Sequence, residues 1–393
     1  MSDHVCKACG STDLDLFYKV DRIPVHSCLM VDSRAEALAF PKGDLELGFC
    51  NACGFIQNVK FDPKPQNYSP AYEETQAFSP RFIRFLEEIC DDQIRKFGLK
   101  PGKTALEIGC GKGEFLVTLC ERSGASGIGI DPGYRPERTV SEAADRLQFI
   151  QDFYGPKYRH LQADHVSCRH TLEHIHEVRT FMELVRESIG DRPHVDVFFE
   201  LPDAERVLTE PAFWDIYYEH CSYFTYGSLA RLFRRTGFDV TNLWKAYDDQ
   251  YLMLEAKPVD SPTEPHLALE DDLAKTRAQV AQFKAVIGPE LQRLRDQFLR
   301  WQSEGRTVAL WGSGSKAVSL ITTLKIAEQV AAVVDINPHK HGKFLAGCGN
   351  EILSPQALTE IRPDVVVAVN PIYLNEIGQD LAKLGLEPEL TAL

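Results

Sequence analysis

Two periods of apolar spacing run along this chain. From about Phe82 the stretch FIRFLEEICDDQIRKFGL repeats its apolar positions at helical spacing. It leads into TALEIGCGKGEFL, which is an apolar run, a glycine turn and the start of another helix. Strand-like and helix-like segments then alternate to about Ala256, the pattern of a layered α/β domain. Further on, TVALWGSGSKAVSLITTL, AAVVDIN and PDVVVAVN are three short β-rich runs separated by helical or loop segments. They predict a second, smaller parallel sheet. Between the two α/β regions a polar stretch opens with DSPTEP, continues in helix-favouring residues and contains Pro289. We read it as two helices bridging domains. Before Phe82 lies an arm rich in Pro, Tyr and Ser, and before the arm a Cys-rich opening. The expected organisation is an N-terminal lobe over 1–66, an α/β domain with its arm over 67–258, a helical bridge over 259–304 and a C-terminal α/β domain over 305–393.

Composition narrows the function classes. The chain has 393 residues, 44% of them hydrophobic and 25% charged, enough for two or three packed domains. Its formal charge of −14 leaves no footprint for general nucleic-acid or membrane-surface binding, so an anionic partner must be held locally. With no apolar leader and no apolar run of spanning length, the expectation is a cytoplasmic protein.

Four of the eleven cysteines carry a pattern. Cys6 and Cys9 form one CxxC knuckle and Cys50 and Cys53 a second, in CKACG and CNACG. Two intervening residues let both thiolates of a turn face one ion, so four thiolates predict a closed, structural Zn²⁺ site. The competing reading is free thiols or a redox pair.

The glycine turn after the first strand carries Glu107, Gly109, Gly111 and Gly113, and a second strand ends in Asp131 about 20 residues on. Glycines there allow a ligand close to the backbone at the carboxyl edge of the sheet, and a strand-terminal acid can bind ribose hydroxyls. The third glycine comes one residue too early for the dinucleotide fingerprint. This E-x-G-x-G-x-G turn with its acid resembles class I S-adenosylmethionine (SAM) methyltransferases, which implies SAM as cofactor on a doubly wound sheet. The resemblance brings Asp152 and Phe153 to the adenine, against an ordinary turn or cap for Asp152.

The order of lobes, together with VSCRHTLEHI, FFELPD, DIYYEHCSYFT, WGSGSK and VVDINPHKHGK, resembles the three-domain nucleotide-sugar C-methyltransferases. Their reaction carries a SAM methyl to the ring carbon beside the ketone of a 4-keto nucleotide sugar, through an enolate. Such chemistry asks for a base, an oxyanion partner and positioning groups. His220 is the candidate base, because imidazole titrates near neutrality; Glu219 would orient an imidazole or a sugar hydroxyl, and Tyr217 would donate to the enolate oxygen. The resemblance sets His170 beside the cofactor and His174 towards the ketone, with a structural histidine as the alternative for His174. A helical reading of this segment would put both on one face, but HExxH is absent and the sequence offers no third metal ligand. His176 reads as a solvated surface residue. The arm is expected to fold over the site with Tyr72 and Ser79, and Glu74 stands where comparable sugar enzymes tend to carry Tyr. Glu200 is expected as an active-site carboxylate, against a capping role. In LWGSGSK, N–H groups at Gly314, Ser315 and Lys316 can cradle phosphate. Lys316, Lys340 and Lys343 can pair with a diphosphate, against solvated surface charges for Lys340 and Lys343, and Asn370 ends a strand at the same sheet edge; a lobe that only packs is the alternative. Two rivals stay open: C- or O-methylation of another natural-product or polysaccharide precursor, and a non-catalytic SAM- or nucleotide-binding module.

Overall fold

The computed structural model describes residues 4–66, 68 and 71–393, so Asn67, Ser69 and Pro70 of the arm lie outside the described residues. The N-terminal lobe is an antiparallel sheet of Leu14–Pro24, Lys42–Cys50 and Ile56–Asn58, in register Leu14↔Cys50 and Leu47↔Asn58. Its fourth strand, Ser222–Tyr223, comes from the far side of the sequence and pairs Tyr223 with Ile56. Each CxxC knuckle closes with a glycine N–H on the first cysteine's carbonyl, Gly10 to Cys6 and Gly54 to Cys50, both at 2.8 Å.

The central sheet has seven strands in the order Phe238–Ala246, Tyr251–Pro258, Asp196–Pro202, His165–Arg169, Thr104–Ile108, Ser126–Ile130, Leu147–Ile150. Among the described residues only Tyr251–Pro258 runs opposite to the other six strands of this sheet. The first strand, Thr104–Ile108, is flanked by both Ser126–Ile130 and His165–Arg169. The chain order therefore reverses there, opening a crevice at its carboxyl end.

The C-terminal domain repeats this design with five parallel strands rather than the three read from the sequence. Their order is Ile352–Leu353, Ala332–Val334, Val308–Trp311, Val365–Ala368, Glu389–Ala392. The two additional strands are edges: one is two residues long, and the other, ELTA, lacks an apolar run. Again the first strand lies at the switch point.

The bridge also differs from expectation. It is one helix, Leu273–Ser303, with Pro289 inside it. Proline removes one N–H from the ladder. One buried stripe, Thr276, Val280, Phe283, Ile287, Leu294, Phe298 and Trp301, runs past it on both sides and keeps the helix in place. Phe283 meets Phe17 and Tyr18 edge-on at 5.8 and 5.5 Å, and the same core continues through Val308, Leu310 and Val367. N-terminal lobe, bridge and C-terminal domain thus share one apolar core. No helix among the described residues is long and apolar enough to cross a membrane.

Candidate active site

A cavity of about 570 Å³ is lined from all three domains. Both switch-point turns open into it, Gly109 to Lys112 from the central sheet and Gly312 to Lys316 from the C-terminal one.

The first turn is held by tight packing. Gly109 has φ +72°, and a Cβ there would stand 2.0 Å from Thr171 Oγ1. Asp131, just past Ser126–Ile130, accepts from Gly111 N at 2.9 Å and Gly133 N at 2.6 Å. Glu107 is buried and its Oε2 has no hydrogen-bond partner; burial raises its carboxyl to about 8 against the pull of Arg169. Glu74 and Glu114 add further carboxylates to this end of the cavity, with Lys112 the facing cation. An orphaned buried carboxylate oxygen amid four acids suits a ligand that carries an ammonium and a sulfonium, as SAM does. Asp152 instead serves its own loop, accepting from Phe153 N at 2.8 Å and Tyr158 OH at 2.5 Å, while Phe153 is exposed at the cavity rim.

The arm reaches over this turn. Lys112 Nζ donates to Tyr72 O at 2.8 Å and pairs with Glu74 at 3.1 Å. Burial lifts the Glu74 carboxyl to about 7, with Lys112 opposing. Glu73 is clamped by Arg138 at 2.9 Å and by Asn337 at 3.0 Å. Ser79 Oγ caps the helix Pro80–Phe97 at Phe82 N and donates to Glu376 at 2.8 Å, while the residue also lines the cavity.

His170 and His174 do not share a helical face. His170 sits at φ +46°, and only Leu172–His174 forms a single 3₁₀ turn. His170 Nε2 meets Glu200 Oε1 at 2.8 Å; burial opposes its charge, but Glu173 and Glu200 raise it to about 9. Glu200 neither caps a helix nor lines the cavity. Its carboxylate grips Arg169 at 2.7 and 3.0 Å, and this pairing holds it at about 2 despite burial. His176 is half-buried against the Phe61 ring at 5.3 Å rather than solvated.

The segment Tyr217–His220 divides its side chains between two directions. Tyr217 and His220 line the cavity, with rings 4.1 Å apart, and His174 crosses His220 at 4.6 Å and 88°. Burial lowers His220 well below the usual imidazole range, so it does not titrate near neutrality as the sequence suggested and its ring is held neutral, able to accept a proton; burial also raises the Tyr217 phenol. Glu219 does not line the cavity. It is fully buried against the N-terminal lobe, with His26 Nδ1 at 2.7 Å, Ser27 N at 3.2 Å and the Ser27 hydroxyl. Sequence reading missed His26, Ser27, Tyr68, Lys112, Arg169 and Glu173. Tyr68 OH bonds His174 Nδ1 at 2.8 Å, and the Tyr-rich arm was its one available signal. His26 lies 193 residues from Glu219, with nothing local to mark it.

At the second turn, Gly314 precedes helix Ser315–Leu324 without a side-chain cap, leaving N–H groups towards the cavity. Asp335, past Ala332–Val334, accepts from Ser313 N at 2.9 Å and Ser313 Oγ at 2.6 Å, mirroring Asp131. Lys340 is buried 3.4 Å from Asp335. Lys316 is paired with Asp215, and Lys343 points away to Asp32. Asn370 exchanges hydrogen bonds with Gln250 at 3.0 and 3.1 Å. Ser315 Oγ is 2.7 Å from Ser27 Oγ.

The four knuckle sulfurs converge. Cys6 and Cys53 are 3.6 Å apart, as are Cys9 and Cys50, and all four lie within 4.8 Å of one another. A tetrahedral Zn²⁺ with Zn–S of about 2.3 Å needs sulfurs ~3.8 Å apart, so the donor set fits.

Comparison with known proteins agrees with this geometry. Residues 82–243 match a family described as a methyltransferase domain, and residues 255–386 match the C-methyltransferase C-terminal domain. This chain belongs to the SAM-dependent C-methyltransferases. The C-methyltransferase is 25% identical over 391 residues to the C-methyltransferase NovU of Streptomyces niveus, covering 95% of this chain and 90% of that one. With the match over 82–243, its central sheet is a class I SAM methyltransferase fold. Solved structures similar to it include the riboflavin-analogue dimethyltransferase RosA of Streptomyces davawensis, at 19% identity and TM-score 0.35. That match covers 45% of this chain and 56% of the other. Magnesium protoporphyrin IX methyltransferase of Synechocystis PCC 6803 with bound SAH matches at 15% identity and TM-score 0.35, over 45% of this chain and 83% of that one.

Proposed function

We propose that this enzyme methylates the carbon beside the ketone of a nucleotide-linked keto-deoxysugar. The observation that carries the reading is the single cavity into which both switch-point turns open, with Tyr217, His220 and His174 lining it too. A ligand spanning it meets a cation-favouring acidic end and an end with helix N–H groups and Lys340, which suits phosphate. Gly109, Gly111, Gly113, Glu107 and Asp131 hold SAM, which supplies an electrophilic methyl when bound. Gly314, Ser315 and Lys340 hold the diphosphate. His220 takes the proton from the ring carbon, the C–H electron pair moves into the enolate, and Tyr217 or His174 donates a hydrogen bond to the enolate oxygen. Glu219, His26 and Ser27 position this segment. We also infer that Cys6, Cys9, Cys50 and Cys53 hold a structural Zn²⁺.

The test is methyl transfer from isotope-labelled SAM to a panel of nucleotide-linked 4-keto-deoxysugars, with the label located by NMR. We expect the label on the ring carbon beside the ketone, and deuterium wash-in there that His220→Ala abolishes. Label on oxygen, or wash-in unchanged in His220→Ala, overturns the reading.

A further inference from the structure

We propose that Glu173, His174 and His220 form a second metal site, open to the cavity, for a divalent transition-metal cation. The sequence spacing of His170 and His174 suggests a histidine pair on a helix, but the fold discards it, because His170 turns to Glu200. The topology builds a different set. His174 closes the turn Leu172–His174, Glu173 precedes it, and His220 arrives from the segment that pairs with the N-terminal sheet. One ligand atom from each lies within 4.8 Å of the others.

Three features make this a coordination set rather than a chance gathering. Glu173 is 2% exposed; its Oε1 stands 3.6 Å from His170, and its Oε2 has no hydrogen-bond partner. A buried carboxylate oxygen left unpaired is costly, and a cation would satisfy it. His174 already engages Tyr68 OH through Nδ1, which fixes the ring and leaves Nε2 for an ion, the usual arrangement of a metal-bound histidine with its outer partner. The His174 and His220 rings stand at 88°, so their nitrogens can approach one point from different directions. All three residues line the cavity, so the ion would keep open positions on that side. Two imidazoles and one carboxylate suit Zn²⁺, Co²⁺, Ni²⁺ or Fe²⁺ rather than the oxygen-seeking Mg²⁺ or Ca²⁺.

The consequence for turnover rests on the reading of His220 as proton acceptor. An imidazole nitrogen that donates its lone pair to a cation takes no proton, so an ion here stops enolisation and competes with the keto-sugar for the same space. Cation binding itself does not depend on that reading.

The experiment first loads the full-length protein with one equivalent of Zn²⁺ to fill the proposed four-cysteine site, and then titrates in Co²⁺. Stoichiometry is followed by equilibrium dialysis and coordination by absorption spectroscopy. One additional equivalent per chain, with the weak visible bands of nitrogen and oxygen ligands, is the expected result. Glu173→Gln and His174→Gln should each lower that affinity at least tenfold, with SAM binding retained as the folding control. No additional equivalent, or one that neither variant weakens, overturns the site. Inhibition by Co²⁺ that rises as keto-sugar falls supports the silencing of His220, and full activity with the ion bound overturns that part. A protein inert to every keto-sugar would count against the proposed reaction, while the Co²⁺ stoichiometry would still decide the metal site by itself.

Discussion

Glu74 shows how much one side chain can decide. It lies between the arm and the glycine turn, 3.1 Å from Lys112, with Asp131 and Glu114 also facing it. Burial raises its carboxyl to about 7, Lys112 pulls it down, and the two acids push it up again. A sulfonium bound nearby favours the ionised form, so SAM should bind more weakly as pH falls through 7 and Glu74 takes up a proton. Glu74→Gln should flatten that dependence and cost roughly threefold to tenfold in affinity on the alkaline side, since a tenfold change in an acid's proton affinity corresponds to about 1.4 kcal/mol. Calorimetric titration of SAM on both sides of pH 7 checks both outcomes. Gly109→Ala should be harsher. Its positive φ and the Thr171 hydroxyl 2.0 Å from a Cβ predict a loss of about 1–3 kcal/mol in thermal unfolding, and loss of SAM binding. Glu107, the glycines and Asp131 were legible because a strand, a turn and a strand-end acid form one local word. Glu219 and His220 were not separable. They are neighbours in the chain, and only the docking of the N-terminal sheet decides that one turns to His26 and the other to the cavity.

Among the elements, long periodic ones were readable and short paired ones were not. Helix Pro80–Phe97 announces itself by its apolar stripe from Phe82 on, whereas sequence reading missed its start at Ser79 and Pro80 and took Ser79 only as a site residue. Ser79→Ala removes the cap and the bond to Glu376, so it should cost about 1 kcal/mol in denaturant unfolding, with the effect largest where the helix meets the C-terminal domain. Strands such as Ser222–Tyr223 and Ile352–Leu353 have two residues each, too few to show any period; they exist because a partner strand lies beside them. Pro289 misled for the opposite reason. Proline is a strong local signal against helix, and here the buried stripe of Leu273–Ser303 outweighs it.

For the whole molecule, the N-terminal sheet matters because it ends in Ser222–Tyr223, which begins two residues after His220. On the proposal that the four cysteines hold zinc, its removal should loosen that sheet and with it the placement of His220 and Glu219. The glycine turn is anchored elsewhere, by Ile130 and Asp131. Chelation should therefore lower methyl-transfer turnover at least tenfold while SAM affinity changes by no more than about threefold, as expected when metal binding stabilises one lobe. Turnover and SAM titration on stripped and zinc-restored protein check this. The hydroxyl of Ser27 has a wider consequence, since it meets both Glu219 and Ser315. Recombination that imports a foreign C-terminal domain to alter acceptor choice would bring a new partner for Ser27 without the matching loop at 26–28. Productive chimaeras should inherit these two distant stretches together, so the heritable unit of specificity is discontinuous in the gene.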